Sequence, residues 1–104
     1  MKRDKLYVEQ ILDSIRKIRE FVGSMTREQF DDDQKTQSAV ILQLALIGEL
    51  SKKFSVEAKK EIDLPWKEIV GFRDRAIHDY FNVDLDVVWG TVESDLGDIE
   101  KKLQ

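Results

Sequence analysis

The chain has 104 residues, 41% hydrophobic and 37% charged, with one His, no Cys and a formal net charge of -4. That is one domain's length, too apolar for a disordered chain and too polar for a membrane protein. The absence of Cys excludes disulfides and thiolate metal sites, one His excludes a multi-His site within one chain, and the acidic balance argues against coating nucleic acid through bulk charge while leaving room for a small local basic site.

With one Pro, five Gly and no alternating run of apolar and polar residues, the chain reads as all-helical. Its opening, residues 1–5, is charged and no apolar signal core follows. A first helix is expected over residues 3–22. Val8, Ile11, Ile15, Ile18 and Val22 recur at steps of three and four, Leu12 and Phe21 widen that stripe, and Gly23 is a C-cap stop. In the following connection Thr26, Arg27, Glu28 and Gln29 fit a capping box for one short turn, which Phe30 anchors to the core. The run Asp31, Asp32, Asp33 reads as a solvated helix start. Three consecutive carboxylates cannot all point one way, so it is not read as a metal site.

The second long helix is expected from Asp33 or Gln34 to Phe54. Its middle, residues 39–47, is the longest apolar stretch, interrupted by Gln43 and far short of the ~20 residues that span a bilayer. A soluble, cytoplasmic protein without membrane contact is therefore expected. Residues 39–47 are apolar on nearly every side, as in a buried helix. A partner subunit covers the remaining face, or the chain's own neighbours surround it; the partner is the preferred reading. Gly48 suits close helix contact and Glu49 is expected to be exposed, the alternative being that it lines the cleft. A short helix over residues 55–61 precedes Pro65, which suits the first position of a third long helix ending near His78 or Tyr80. Trp66 and Trp89 read as core. After a tight connection at residues 81–83, Asp84 caps a last helix striped by Leu85, Val88, Trp89, Val92, Leu96, Ile99 and Leu103. The sum is one domain over residues 1–104: an all-α, up-and-down bundle of four long helices plus short helical turns.

Packing accounts for most of this sequence but not for residues 71–82, Gly-Phe-Arg-Asp-Arg-Ala-Ile-His-Asp-Tyr-Phe-Asn. At about 100° per residue, Trp66, Ile69, Val70 and Ile77 share an inward face that also takes Arg73 and Tyr80. An ionised guanidinium on a buried stripe needs partners or a wet cleft. Asp74 and His78 are neighbours at i,i+4, a spacing that lets Asp74 accept from one ring nitrogen and leave the other free for proton transfer. The plainer alternative is that Arg73 and His78 are structural or solvated. Arg75 reads as a surface residue paired with Asp79 or Asp74.

Arg73, four residues, His78, one residue, Tyr80 resembles the Arg-x4-His-x-Tyr motif of HepT-like toxins, ribonucleases of the HEPN superfamily. The resemblance also covers residues 47–50 and 64–71 before the motif, and Val83, Asp84, Val88 and Trp89 after it. It implies a HEPN-like homodimer in which the motifs of two subunits face each other across an interface cleft, and metal-independent RNA cleavage without a cofactor. Arg73 and His78 would then be the catalytic pair, supported by Asp74. Tyr80 would be the residue to which a partner antitoxin, a minimal nucleotidyltransferase, adds AMP. Two positions depart from the family pattern: Asp74 stands where Asn is common and Asp79 where Gly is frequent. Both add negative charge near the expected phosphate site. This keeps open a second reading, a non-catalytic HEPN module that binds nucleotide or a nucleotidyltransferase partner.

Overall fold

A computed structural model describes residues 2–104, so Met1 of the charged opening lies outside the described residues. Every regular element described is helical: α1 (Lys2–Val22), α2 (Arg27–Asp31), α3 (Gln34–Lys52), α4 (Val56–Glu61), α5 (Trp66–His78), a 3-10 turn (Tyr80–Asn82), α6 (Leu85–Gly90), a π-helical segment (Thr91–Asp95) and α7 (Leu96–Leu103). The last three run on as one rod, which is the expected fourth long helix. No described helix is long and apolar enough to cross a membrane.

Local chemistry sets the boundaries. Gly23 takes φ +53°, a left-handed conformation that suits glycine, and its N–H donates to the Arg19 carbonyl at 2.8 Å, ending α1. The Thr26–Gln29 capping box forms reciprocally, with bonds of 3.2 and 2.9 Å. Asp33 caps α3 by accepting from the Thr36 N–H at 3.0 Å and the Thr36 hydroxyl at 2.7 Å, bonds that hold its carboxyl below the ordinary carboxylate range. Ser55 caps α4, Asp84 caps α6 by accepting from the Asp86 N–H at 2.8 Å, and Pro65 sits one position earlier than expected, at the N-cap of α5.

α3 is the central helix, packed between α1 and α5, while α7 returns along α1. The connections alternate up and down: Phe54 at the end of α3 stacks near Tyr7 at the start of α1, and Tyr80 beyond the end of α5 reaches Ser38 near the start of α3. The stripe residues Ile11, Ile15, Ile18 and Val22 are buried, as are Val88, Leu96, Ile99 and Leu103 from the rod. Phe30 is fully buried, its ring centroid 5.2 Å from that of Trp89. Trp66 packs on Phe54 and donates its indole N–H to the Ile62 carbonyl at 3.1 Å.

One alternative falls and one expectation is corrected. α3 is not enclosed by its own chain: Leu42 is 56% and Leu46 41% exposed, whereas Gln43 is buried. On α5, Ile77 is 55% exposed and Ala76 is buried in its place. α5 meets α3 through Ile69, Arg73 and Ala76, and Ile77, one residue and about 100° further round, is turned outward.

Candidate functional site

The site lies where α5 crosses α3, and Gly48 permits the crossing. A Cβ at position 48 would stand 2.4 Å from Arg73 Cβ and 2.9 Å from the Ile69 carbonyl oxygen. No larger residue fits without moving α5. The expected close contact at Gly48 is thus real, and it lies directly under the root of Arg73.

The head of Arg73 is held by two carboxylates. Its Nε is 2.8 Å from Glu49 Oε2, and its Nη1 donates to Asp74 Oδ1 at 3.1 Å. The Glu49 oxygen is buried and has no hydrogen bond of good geometry, so its contact with Arg73 is chiefly ionic. The Glu49 side chain is still 40% exposed, but its Oε2 is buried and lines the crossing, the alternative weighed for it. Its neighbour Gly48 is the signal that places it there, because a glycine at a helix crossing brings the next residue of α3 beside α5.

His78 is the last residue of α5 and is exposed. Among the described residues its ring has no hydrogen-bond or ion-pair partner, and Asp74 turns to Arg73 instead. Five residues along a helix separate two side chains by about 140° of rotation and about 7.5 Å of rise. Arg73 and His78 of one chain therefore leave the helix in different directions.

Tyr80 sits in the 3-10 turn, its hydroxyl 3.0 Å from Ser38 Oγ. Together with Phe81, which is 97% exposed, it walls a 360 Å3 groove shared with Gln34, Gln37 and Ser38. Between the Glu49–Arg73 pair at one end and the Ser38–Tyr80 pair at the other run Leu42, Leu46 and Ile77, all exposed. A cationic centre and a phenol thus flank an uncovered apolar strip. Contiguous exposed apolar surface of this kind marks interaction sites.

The other polar residues named from the sequence lie elsewhere. Arg75 forms no ion pair among the described residues, with Asp79 and Asp74 included, and lines a 270 Å3 apolar pocket with Phe72 and Val87. Asp79 accepts from Asn82 Nδ2 at 2.8 Å. In the acidic run, Asp31 pairs with Arg27 at 2.8 Å and Asp33 caps α3, so these carboxylates diverge.

A protein-family model described as HepT-like, ribonuclease HepT-like, matches residues 11–104. A probable ribonuclease HepT of Thermococcus cleftensis is 42% identical over 100% of this chain and 96% of its own length. A provisionally named RNase of Caldanaerobacter subterraneus subsp. tengcongensis is 34% identical over 100% of this chain and 94% of its own length. A longer Methanocaldococcus jannaschii protein, named as a gamma-glutamylcyclotransferase together with a provisional RNase, is 34% identical over 99% of this chain and 47% of its own length. No solved structure matches the chain.

Proposed function

Because the chain belongs to the HepT-like ribonuclease family, we propose that it is a metal-independent endoribonuclease acting as the toxin of a toxin–antitoxin pair. The observation that carries the reading is the strip of Leu42, Leu46 and Ile77 flanked by Arg73 and Tyr80. A second copy packed on that strip would bury it and bring two sets of Arg73 and His78 to one cleft. It would supply the second His that one chain lacks, and it would let the Arg73 of one subunit work with the His78 of either.

In this cleft His78 takes the proton of a ribose 2′-hydroxyl as that oxygen bonds to phosphorus. The phosphorus–O5′ bond breaks, and the leaving oxygen collects a proton from the partner's His78 or from water. The products are a 2′,3′-cyclic phosphate, or the monoester from its hydrolysis, and a 5′-hydroxyl. The guanidinium of Arg73 neutralises charge developing on the phosphate oxygens. The nucleophile belongs to the substrate, so the step calls on no metal or cofactor. Asp74, the residue named as supporting, holds Arg73 Nη1 in the free protein and would have to yield that donor to the substrate phosphate. The partner is a minimal nucleotidyltransferase antitoxin that transfers AMP to the Tyr80 hydroxyl. A bulky anion there would sit beside the cleft and block substrate phosphate.

The alternative is a non-catalytic HEPN module that binds nucleotide or the nucleotidyltransferase. The specific observation in its favour is that Arg73 already faces two carboxylates, Glu49 and Asp74. Expression of the chain with and without a nucleotidyltransferase partner separates the readings. Growth arrest that disappears in His78→Ala and Arg73→Ala, with RNA cleaved in the presence of EDTA, supports the ribonuclease. A wild type that neither arrests growth nor cleaves RNA refutes it, as does cleavage abolished by EDTA.

A further inference from the structure

We propose that Glu49 is the positioning residue for Arg73, an inference that rests on Arg73 acting at the substrate phosphate. Two successive residues of α3 hold Arg73 at both ends. Gly48 receives its root, with no space for a Cβ, and Glu49 holds its head through Nε at 2.8 Å. A guanidinium carries five N–H donors in a rigid fork. Glu49 engages the Nε side, leaving the Nη atoms, which form the outer edge of the fork, to grip two phosphate oxygens.

Asp74 does not do the same work. Its side chain is 51% exposed against 40% for Glu49, and its bond to Nη1 occupies a donor that the phosphate needs. Glu49 Oε2 is buried, so water competes poorly for Arg73 there. The two carboxylates therefore divide: Glu49 holds the fork from behind, and Asp74 contests its front.

A distinct kinetic signature follows. Glu49 also neutralises part of the charge of Arg73, so removing it leaves ground-state attraction for RNA intact or stronger. What is lost is the orientation required in the transition state. Glu49→Ala is expected to lower kcat on the order of 10- to 100-fold while KM stays equal or falls. Glu49→Gln keeps an acceptor oxygen beside Nε and is expected to retain an intermediate kcat. In an Arg73→Ala background, Glu49→Ala is expected to cost nothing further, since it acts only through Arg73.

The test uses the full chain and a fluorophore-labelled single-stranded RNA with EDTA present, with melting temperature and sedimentation measured for every variant. The inference is upheld by a kcat loss at unchanged fold and assembly, partial recovery in Glu49→Gln and no added loss in the double variant. It is overturned by wild-type kcat in Glu49→Ala, by a rise in KM at constant kcat, or by additive losses in the double variant. It is equally overturned if Glu49→Gln folds and assembles normally yet is as inactive as Glu49→Ala. Wild type that cleaves and His78→Ala that does not keep the ribonuclease reading standing whatever Glu49 does. If the wild type cleaves no RNA, both readings fall.

Discussion

Replacing Gly48 with Ala probes the geometry on which the whole site depends. The added methyl would lie 2.4 Å from Arg73 Cβ, whereas carbon atoms rest about 3.5–4.0 Å apart, so the helices must separate by more than about 1 Å. The second obstacle, the Ile69 carbonyl oxygen at 2.9 Å, is backbone and cannot rotate away. Overpacking of this kind costs about 1–3 kcal/mol, and two unyielding neighbours place this case at the upper end. Against that stands the better helix propensity of Ala, worth about 1 kcal/mol. The net expectation is a loss of about 2 kcal/mol, or roughly 10 °C in melting temperature for a domain of this size. Circular dichroism at 222 nm during thermal unfolding measures it. Gly90→Ala is the matched control, because a Cβ there meets nothing within 4 Å. It is expected to leave the melting temperature unchanged or raise it. A Gly48→Ala protein as stable as wild type would refute the close crossing, and with it the seat proposed for Arg73.

Four further outcomes are expected. Phe30→Ala removes a fully buried ring stacked on Trp89 and should cost about 3–5 kcal/mol in urea unfolding. Asp4 accepts from the Ser55 N–H at 2.8 Å and the Ser55 hydroxyl at 2.6 Å, which hold its carboxyl below the ordinary 3.8. A pKa depressed on folding contributes stability that is present above the unfolded value and lost as pH falls through the folded one, so wild type should lose stability below about pH 4, and Asp4→Asn should soften that acid limb. Asp74→Asn removes an exposed carboxylate from Arg73 Nη1; exposed pairs are worth about 0.2–1 kcal/mol, so KM for RNA should fall by up to about five-fold, and a rise would contradict the contest proposed there. Ile77→Asp places a charge in the exposed strip and should give a monomer by sedimentation without lowering the monomer's own melting temperature; an unchanged oligomeric state would remove the strip from the interface.

The fold was legible wherever one side chain decides a local geometry. Gly23, the Thr26–Gln29 box and Asp84 each cap by satisfying backbone groups within four residues, and such signals survive any packing around them. The stripes of α1 and the rod were legible for the same reason, since one buried face imposes one period. The π-helical segment Thr91–Asp95 was not. There Leu96 donates to the Thr91 carbonyl five residues back, and Thr91 Oγ1 bonds the Val87 carbonyl at 2.8 Å, rearrangements that leave the apolar spacing intact. The site was legible as residue types in register but not as contacts. Asp74 has two partners at helical distance, Arg73 and His78, and periodicity alone cannot choose between them. Glu49 looked exposed because its ion pair comes from another helix.

The misreading of Ile77 and the reading of α3 share one cause, and that cause bears on function. Periodicity reports which residues avoid water; it cannot say whether the cover belongs to the same chain. Ile77 matched the inward stripe of α5, and Leu42 and Leu46 matched a helix apolar all round, yet this chain covers none of the three. All three open on one surface, and Arg73 and Tyr80 stand at its ends. An error in assigning a face to the core is therefore the same observation as an uncovered apolar surface. The residues whose pattern demands burial and whose own chain withholds it are the ones that the proposed second copy would cover. On the proposed function the chemistry of Arg73 would lie at the edge of a surface completed by association, so assembly and activity should be lost together when the strip is charged.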